Sequence, residues 1–393
     1  MPKDPKYRVA LIGGGRAGPS RARAFDAHPL CALVAVADTD PENLELTAGR
    51  FGVTGYSTFD EMFAREEPLD IVLPILPVRP NADAVVAAAE AGAKAIFCEK
   101  PLTATLADAD RMVEACATRG IAFGAGVMVS SHPDYRRAFQ MAADGTIGQV
   151  YRINLYGGNN QGGCHGMNLV RKFAQKAAIE EVIGRVSGDP FSDHEEPYDE
   201  AATGFGDLGG YVRFANGIEA FLGLGDYGLR GIEVVGTRGV ILNTDNTGLG
   251  LQLRVAPESS TRVNLIDMEP VESGFLPADS GAERGFDAAG WRDPGQVMRA
   301  IVDDFIRVLE QGGELEITTG DDLRHALEMS LAVRESHRRG HASLPLPLAD
   351  RSLAMYPERM RWHYKKPIFG REAYMEQMAG QKRSNGPAEG GSL

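Results

Sequence analysis

Two side chains able to carry a proton sit where a bound small molecule can reach them. Lys100 lies in Glu99-Lys100-Pro101, directly after the apolar run Ala95–Cys98. His165 lies in Gly162-Gly163-Cys164-His165-Gly166, just ahead of a segment with helical character from Leu169. A lysine at the carboxyl end of a parallel strand can hydrogen-bond a substrate hydroxyl and exchange its proton, and partial burial moves its pKa toward neutrality. A histidine near a helix start tends to have a depressed pKa, which also suits proton exchange. Each has an ordinary alternative, a solvated surface lysine and a buried, hydrogen-bonded structural histidine.

A third feature binds rather than reacts. Gly13-Gly14-Gly15-Arg16-Ala17-Gly18 has the spacing G-x-G-x-x-G, and among 47 glycines the match counts only through its position. It follows the apolar run Tyr7–Ile12 and opens a helix-like segment from Ala17. Gly13 permits a tight turn, Gly15 lets the backbone approach a pyrophosphate, and Gly18 lets helix and strand pack closely. The phosphates then meet free backbone N–H groups at the helix N-terminus. Asp38 ends the next strand-like run, where a carboxylate accepts hydrogen bonds from the adenosine ribose. It repels a 2′-phosphate, which favours NAD, while Arg16 keeps NADP as the alternative. The competing reading is a Gly-rich turn without a ligand and a solvated Asp.

Other signals are weaker. Arg171 and Lys172 lie just beyond His165 and could meet an anionic group of a substrate; otherwise they are the wet face of a helix. Cys164 has no oxyanion-hole motif beside it and reads as a small buried thiol. His132 and Asp193-His194-Glu195-Glu196 lack the i, i+4 pairing of helical metal ligands, so no metal is expected.

The elements that must position these groups come in two patterns. Through residue 125, strand-like runs (Tyr7–Ile12, Ala32–Ala37, Ile71–Leu76, Ala95–Cys98, Ala122–Ala125) alternate with helix-like ones (Ala17–His28, Pro41–Phe51, Asp60–Glu66, Asn81–Ala91, Leu106–Thr118). Such alternation predicts a parallel sheet covered on both faces. After Ser130 a helix at Tyr135–Asp144, a strand at Gln149–Tyr156 and a helix at Leu169–Ile183 are expected. Short strands follow at Tyr211–Ala215, Ile218–Leu224, Ile232–Val235, Val240–Leu242 and Leu251–Val255, with Asn216-Gly217 as a hairpin turn. Helices at Val297–Gln311 and Asp321–Arg339 close the pattern. The fold class is therefore an α/β Rossmann domain with a parallel sheet, then an α+β domain with a large, mostly antiparallel, open-faced sheet. The expected division is 1–128 for dinucleotide binding, 129–348 for substrate binding and oligomerisation, and 349–393 as a tail. That tail carries Tyr356, Trp362, His363 and Tyr364, and its polar, Gly-rich end at 380–393 is expected to lack order.

Together these motifs resemble the Gfo/Idh/MocA oxidoreductases over about residues 7–345. Glu99-Lys100-Pro101 is similar to that family's E-K-P signature, whose lysine contacts substrate and nicotinamide and whose Lys–Pro peptide is often cis. Gly145-Thr146-Ile147-Gly148-Gln149-Val150 resembles its entry into the second domain, Val234–Gly239 a later sheet motif, and Ala326–Gly340 its closing helix. The usual D-x-x-x-H-x-x-D reads Gln161-Gly-Gly-Cys-His165-Gly-Met-Asn168 here, so both acids have become amides. Gln161 can orient a hydroxyl but cannot act as a base. The usual T-P-N-x-x-H reads Leu76-Pro77-Val78-Arg79-Pro80-Asn81. The resemblance implies a cofactor site of Gly13, Gly15, Arg16, Ala17, Gly18, Asp38, Leu76, Pro77, Asn81, Glu99 and Lys100. It implies Lys100 and His165 as catalytic residues, and Gln161 and Asn168 as holding neighbouring hydroxyls. The activity implied is hydride transfer between NAD and a secondary alcohol of a sugar, cyclitol or glycoside. A redox-neutral NAD-dependent glycosidase or lyase, and a non-catalytic sensor of NAD and sugar, are the alternatives. The family's open sheet face implies a homodimer or homotetramer.

Composition narrows the partners. With 41 basic and 54 acidic residues the net charge is −13, and no basic run offers nucleic acid a footprint. The four cysteines form no C-x-x-C pair, which fits a reduced, cytoplasmic setting. The short polar start Met1–Lys6 predicts no signal peptide, and the absence of a long apolar run predicts no membrane span.

Overall fold

The computed structural model describes residues 5–15, 17–156, 164–186, 208–223, 231–243, 250–260, 268–275 and 295–354. Its first part alternates strand and helix: β1 Tyr7–Ile12, α1 Gly18–Ala27, β2 Cys31–Ala37, α2 Pro41–Phe51, β3 Thr54–Tyr56, α3 Phe59–Arg65, β4 Ile71–Pro74, α4 Asn81–Glu90, β5 Ala95–Cys98, α5 Leu106–Ala117 and β6 Ala122–Ala125. The strands form a six-stranded sheet in the order β3-β2-β1-β4-β5-β6, every neighbouring pair parallel. β4 (IVLP) and β5 (AIFC) are buried at every residue, the mark of strands covered on both faces. Strand order reverses between β1 and β4, which opens a crevice at their carboxyl ends. The short β3, with only Tyr56 buried, is not foreseen in the sequence because three residues carry no period.

The second part comprises α6 Pro133–Ala143, β7 Val150–Tyr156, α7 Gly166–Phe173, β8 Ile179–Val186, β9 Leu208–Phe214, β10 Glu219–Gly223, β11 Ile232–Gly236, β12 Gly239–Asn243, β13 Gln252–Val255, β14 Glu269–Val271, α8 Gly295–Gln311 and α9 Gly320–Arg338. Its eight-stranded sheet runs β14-β13-β12-β11-β7-β10-β9-β8, antiparallel except where β7 meets β10. Asn216-Gly217 makes the β9–β10 turn: Gly217 has φ 82°, and Ile218 N–H donates to Asn216 Oδ1. One sheet face, including Ile153, Val182, Val212, Leu222 and Val234, packs into a core shared with α9. The other face is open, with Phe221 at 40% exposure and Asn154 bonded to Glu233 across β7 and β11.

One expectation is corrected. The helix expected over Leu169–Ile183 ends at Phe173; Gln175 (φ 57°) and Lys176 (φ 56°) turn the chain, and Ile179 begins β8. Ala and Glu give this stretch helical character, but pairing with β9 and alternate burial of its side chains override propensity. α8 returns to the first sheet and lies with α1 on one face, where Phe305 meets Phe25 and Phe97 at ring-centroid distances of 5.8 and 6.1 Å.

Candidate functional site

The glycine turn separates into two kinds of position. Gly13 has φ 99°, and a Cβ there would collide with the Ile75 carbonyl oxygen. A Cβ on Gly18 would collide with the Gly13 carbonyl oxygen, so helix and turn meet backbone to backbone. Gly15 is different: the nearest atom to a Cβ there is Asn43 Nδ2 at 3.8 Å. Among the described residues no atom crowds that position, which is what a ligand approaching the backbone requires. α1 starts from Ala17 without a side-chain cap, so its first-turn N–H groups can serve an anion. Asp38 supports the turn directly. Its Oδ2 accepts from Gly14 N–H at 2.7 Å and its Oδ1 from Asp40 N–H at 2.8 Å. These features fit a dinucleotide. Arg16 lies outside the described residues.

Past β4, Leu76 lies beside the turn, half-buried, and Pro77 is exposed. Asn81 is fully buried, and its amide donates to the carbonyls of Pro101 and Leu102 at 3.4 and 3.3 Å. Its donor group therefore braces the loop that carries Lys100, and its Oδ1 is enclosed without a partner among the described residues. On that loop Glu99 accepts from Arg21 Nε at 3.0 Å, which ties α1 to the end of β5. The Lys100–Pro101 peptide is cis, and Lys100 is half-buried.

His165 caps α7 by position but makes no capping hydrogen bond, and its Nδ1 is enclosed without a partner among the described residues. Burial, and then the positive charge of Lys100, pull its pKa down to about 4. The expected direction is present; its causes are desolvation and a neighbouring cation. The charge of Lys100, at the end of β5, thus reaches the imidazole that precedes α7. Gln161 lies outside the described residues.

Every residue of α7 is buried, so Arg171 and Lys172 are not a wet helix face. Arg171 Nη1 bonds Asp322 Oδ1 at 2.5 Å, and Lys172 Nζ lies 3.4 Å from Asp322 Oδ2 and donates to the Ile317 carbonyl. Lys176 adds a third cation at 2.9 Å. Burial raises the pKa of Asp322, but Lys172, Lys176 and Arg171 outweigh it and hold it at about 2. Burial lowers the pKa of Lys172, and Asp322 opposes that shift. Asp322 is thus the buried counter-charge of Arg171 and Lys172, and Arg171 Nη2 also lies 3.7 Å from Asp321 Oδ2. Asn168 is likewise interior, bonded to Ser130 and Thr318.

Asp322, Ser130, Thr318 and Arg21 were not singled out in the sequence. Thr319-x-x-Asp322 is a capping-box spacing, and Thr319 Oγ1 and Asp322 do cap α9 reciprocally. Nothing local marks Ser130 or Thr318. Cys164 is buried, and His132 Nδ1 accepts from Asp134 N–H as the cap of α6. Among the described residues no three His, Cys, Asp or Glu side chains are grouped to hold a metal, and no helix is long and apolar enough to cross a membrane.

Comparison with known proteins agrees with this architecture. Residues 7–127 match the GFO_IDH_MocA profile, described as an oxidoreductase family with an NAD-binding Rossmann fold. Inositol 2-dehydrogenase of Rhizobium meliloti is 35% identical over 152 residues, which are 38% of this chain and 44% of that protein. A 2,7-anhydro-N-acetylneuraminate hydratase of Mediterraneibacter gnavus is 31% identical over 141 residues, 36% of this chain and 37% of that protein. The chain thus spans 37% to 44% of the length of these curated relatives. Levoglucosan dehydrogenase, solved with NADH and levoglucosan, shares the fold at a TM-score of 0.66 and 20% identity, over 87% of this chain and 100% of that one. Over residues 7–127, the Rossmann domain of this chain is similar to that of the Gfo/Idh/MocA oxidoreductases.

Proposed function

We propose that the protein is an NAD-dependent oxidoreductase that moves hydride between the nicotinamide and a secondary alcohol of a sugar, cyclitol or glycoside. The reading is supported by the charge of Lys100, at the carboxyl end of β5, reaching the His165 imidazole, together with the glycine turn at the carboxyl end of β1 in the same sheet. Bound NAD supplies the hydride acceptor; the chain's residues handle position and proton. The α1 N-terminus, the space over Gly15 and Asp38 hold the dinucleotide. Lys100 and His165 bracket the substrate hydroxyl. His165 is neutral above pH about 4 and can take the hydroxyl proton, while the positive charge of Lys100 stabilises the oxygen that loses it. The substrate class rests on the inositol and levoglucosan dehydrogenases among its relatives.

The test is absorbance of reduced nicotinamide after mixing the protein with NAD and a panel of cyclitols, sugars, sugar acids and glycosides. Appearance of NADH with one class supports the reading. Lys100→Ala should then lower turnover by about 10²- to 10⁴-fold and leave NADH affinity nearly unchanged. Unchanged turnover in that variant would sink the assignment of Lys100. A redox-neutral reaction is favoured by one observation, the similarity to a hydratase. It predicts product without net NADH.

A further inference from the structure

Asn168 stands one helical turn beyond His165, and residues so spaced share a side of the helix. Its side chain is nevertheless fully enclosed. Nδ2 donates to Ser130 Oγ at 2.8 Å and to Thr318 Oγ1 at 3.1 Å, and those hydroxyl oxygens lie 2.6 Å apart. Both hydroxyl residues are at 0% exposure. The three partners come from different segments: Ser130 precedes α6, Asn168 lies in the first turn of α7, and Thr318 lies just ahead of the α9 cap. Thr318 is fixed further, its N–H donating to Ser131 Oγ at 3.3 Å and its carbonyl accepting from Ala125 N–H at 2.8 Å. An amide with both donor bonds directed into this triangle does not present them to the crevice.

We propose that Asn168, Ser130 and Thr318 form a clasp that positions His165, and that Asn168 itself does not touch the substrate. The clasp fixes the first turn of α7 against two other segments, which holds the half-buried imidazole and its enclosed Nδ1 in place. Its importance to turnover rests on the reading of His165 as the proton-transfer group. Lys100 is the charged group that weighs on the imidazole; farther along α7, Arg171 and Lys172 are matched by Asp322 of α9. Since burial is the first cause of the imidazole's weak basicity, loosening the clasp and admitting water makes it more basic.

Thr318→Val keeps the side-chain shape and deletes the hydroxyl, whereas Thr318→Ser keeps the hydroxyl. The His165 imidazole is followed by NMR titration of the full chain, assigned with His165→Gln; no substrate is needed. Thr318→Val is expected to raise the titration midpoint by about one unit or more, tenfold in proton affinity, with Thr318→Ser close to the parent. Ser130→Ala tests the same triangle if Thr318→Val does not fold. A midpoint unmoved in Thr318→Val, or moved equally in Thr318→Ser, overturns the clasp. With a substrate in hand, Thr318→Val and Asn168→Ala should each lower kcat with little change in KM, and together no more than either alone. A raised KM confined to Asn168→Ala would return Asn168 to the substrate site. A silent substrate panel sinks the oxidoreductase reading but leaves the titration result to decide the clasp.

Discussion

Gly13, Gly15 and Gly18 sit within one turn, yet the surroundings constrain them differently. A side chain at Gly13 or Gly18 strikes backbone, so a substitution there disturbs the fold before it disturbs any ligand. A methyl group at Gly15 meets nothing nearer than 3.8 Å, so it disturbs a ligand alone. Gly15→Ala is therefore expected to melt within a degree or two of the parent, by the small effect of surface changes, and to lose most NADH affinity. Gly18→Ala is expected to lose both. Thermal melting paired with NADH fluorescence titration checks this, and equal NADH affinity in Gly15→Ala and the parent would remove the pyrophosphate from that turn. The same residue-scale reasoning sets a pH limit. His165 must be neutral to accept a proton, and it is protonated only as pH falls through about 4. The rate of alcohol oxidation should hold down to that range. A decline centred near the ordinary histidine value, about 6.5, would show an imidazole that is not buried beside Lys100.

At the scale of elements, α7 is held to α9 by charge rather than by apolar contact alone. Asp322 is fully buried with two buried cations, Arg171 and Lys172, and half-exposed Lys176 around it. Asp322→Asn would leave buried Lys172 without its counter-charge and Arg171 with only the half-exposed Asp321 at 3.7 Å, and breaking a buried pair in this way typically removes about 3–5 kcal/mol. Urea unfolding should read that loss; a change below about 1 kcal/mol would place the pair among exposed, weakly coupled charges. The folded-state pKa of Asp322 lies below its ordinary value. Its contribution is therefore complete above the unfolded carboxylate pKa, about 3.9, and is lost as pH falls through about 2. This cluster also marks where the sequence stops being readable. The glycine turn, Asp38 and the Lys100 loop could be located because strand, turn and helix follow one another within a few residues. Arg171 and Lys172 were read as exposed or ligand-facing because their partner lies about 150 residues along the chain, and no local period announces it. The first half of β8, Ile179–Ile183, has helical character in the sequence for the same reason: its pairing with β9 is not written in its own residues.

At the scale of the molecule, the two sheets do not behave as separate bodies. One continuous apolar cluster runs from Ala10 and Val72 in the first sheet through Leu327 and Met329 of α9 to Val182 and Val212 in the second. The segment 344–354 adds a polar strap across the same junction. Leu344 exchanges backbone hydrogen bonds with Val182 of β8, and Ala107 N–H of α5 donates to the Arg351 carbonyl at 2.9 Å. The Arg351 guanidinium grips Asp110 of α5 through Nε and Nη2, both at 2.7 Å, and bonds Glu328 of α9 through Nη1. Glu328 is 1% exposed and also receives Leu348 N–H at 2.9 Å, so the strap supplies two of its partners beside Arg324 of its own helix at 3.6 Å. Shared core and strap together predict one cooperative unfolding transition for the described domains, seen alike by far-UV and near-UV circular dichroism. Arg351→Ala should lower its midpoint by the loss of a buried charge-assisted bond, about 1.5–3 kcal/mol, without splitting it, because the apolar junction remains. Two separate transitions in the parent would mean that the cluster across the sheets does not couple them, and that the crevice between Lys100 and His165 is set by the strap alone.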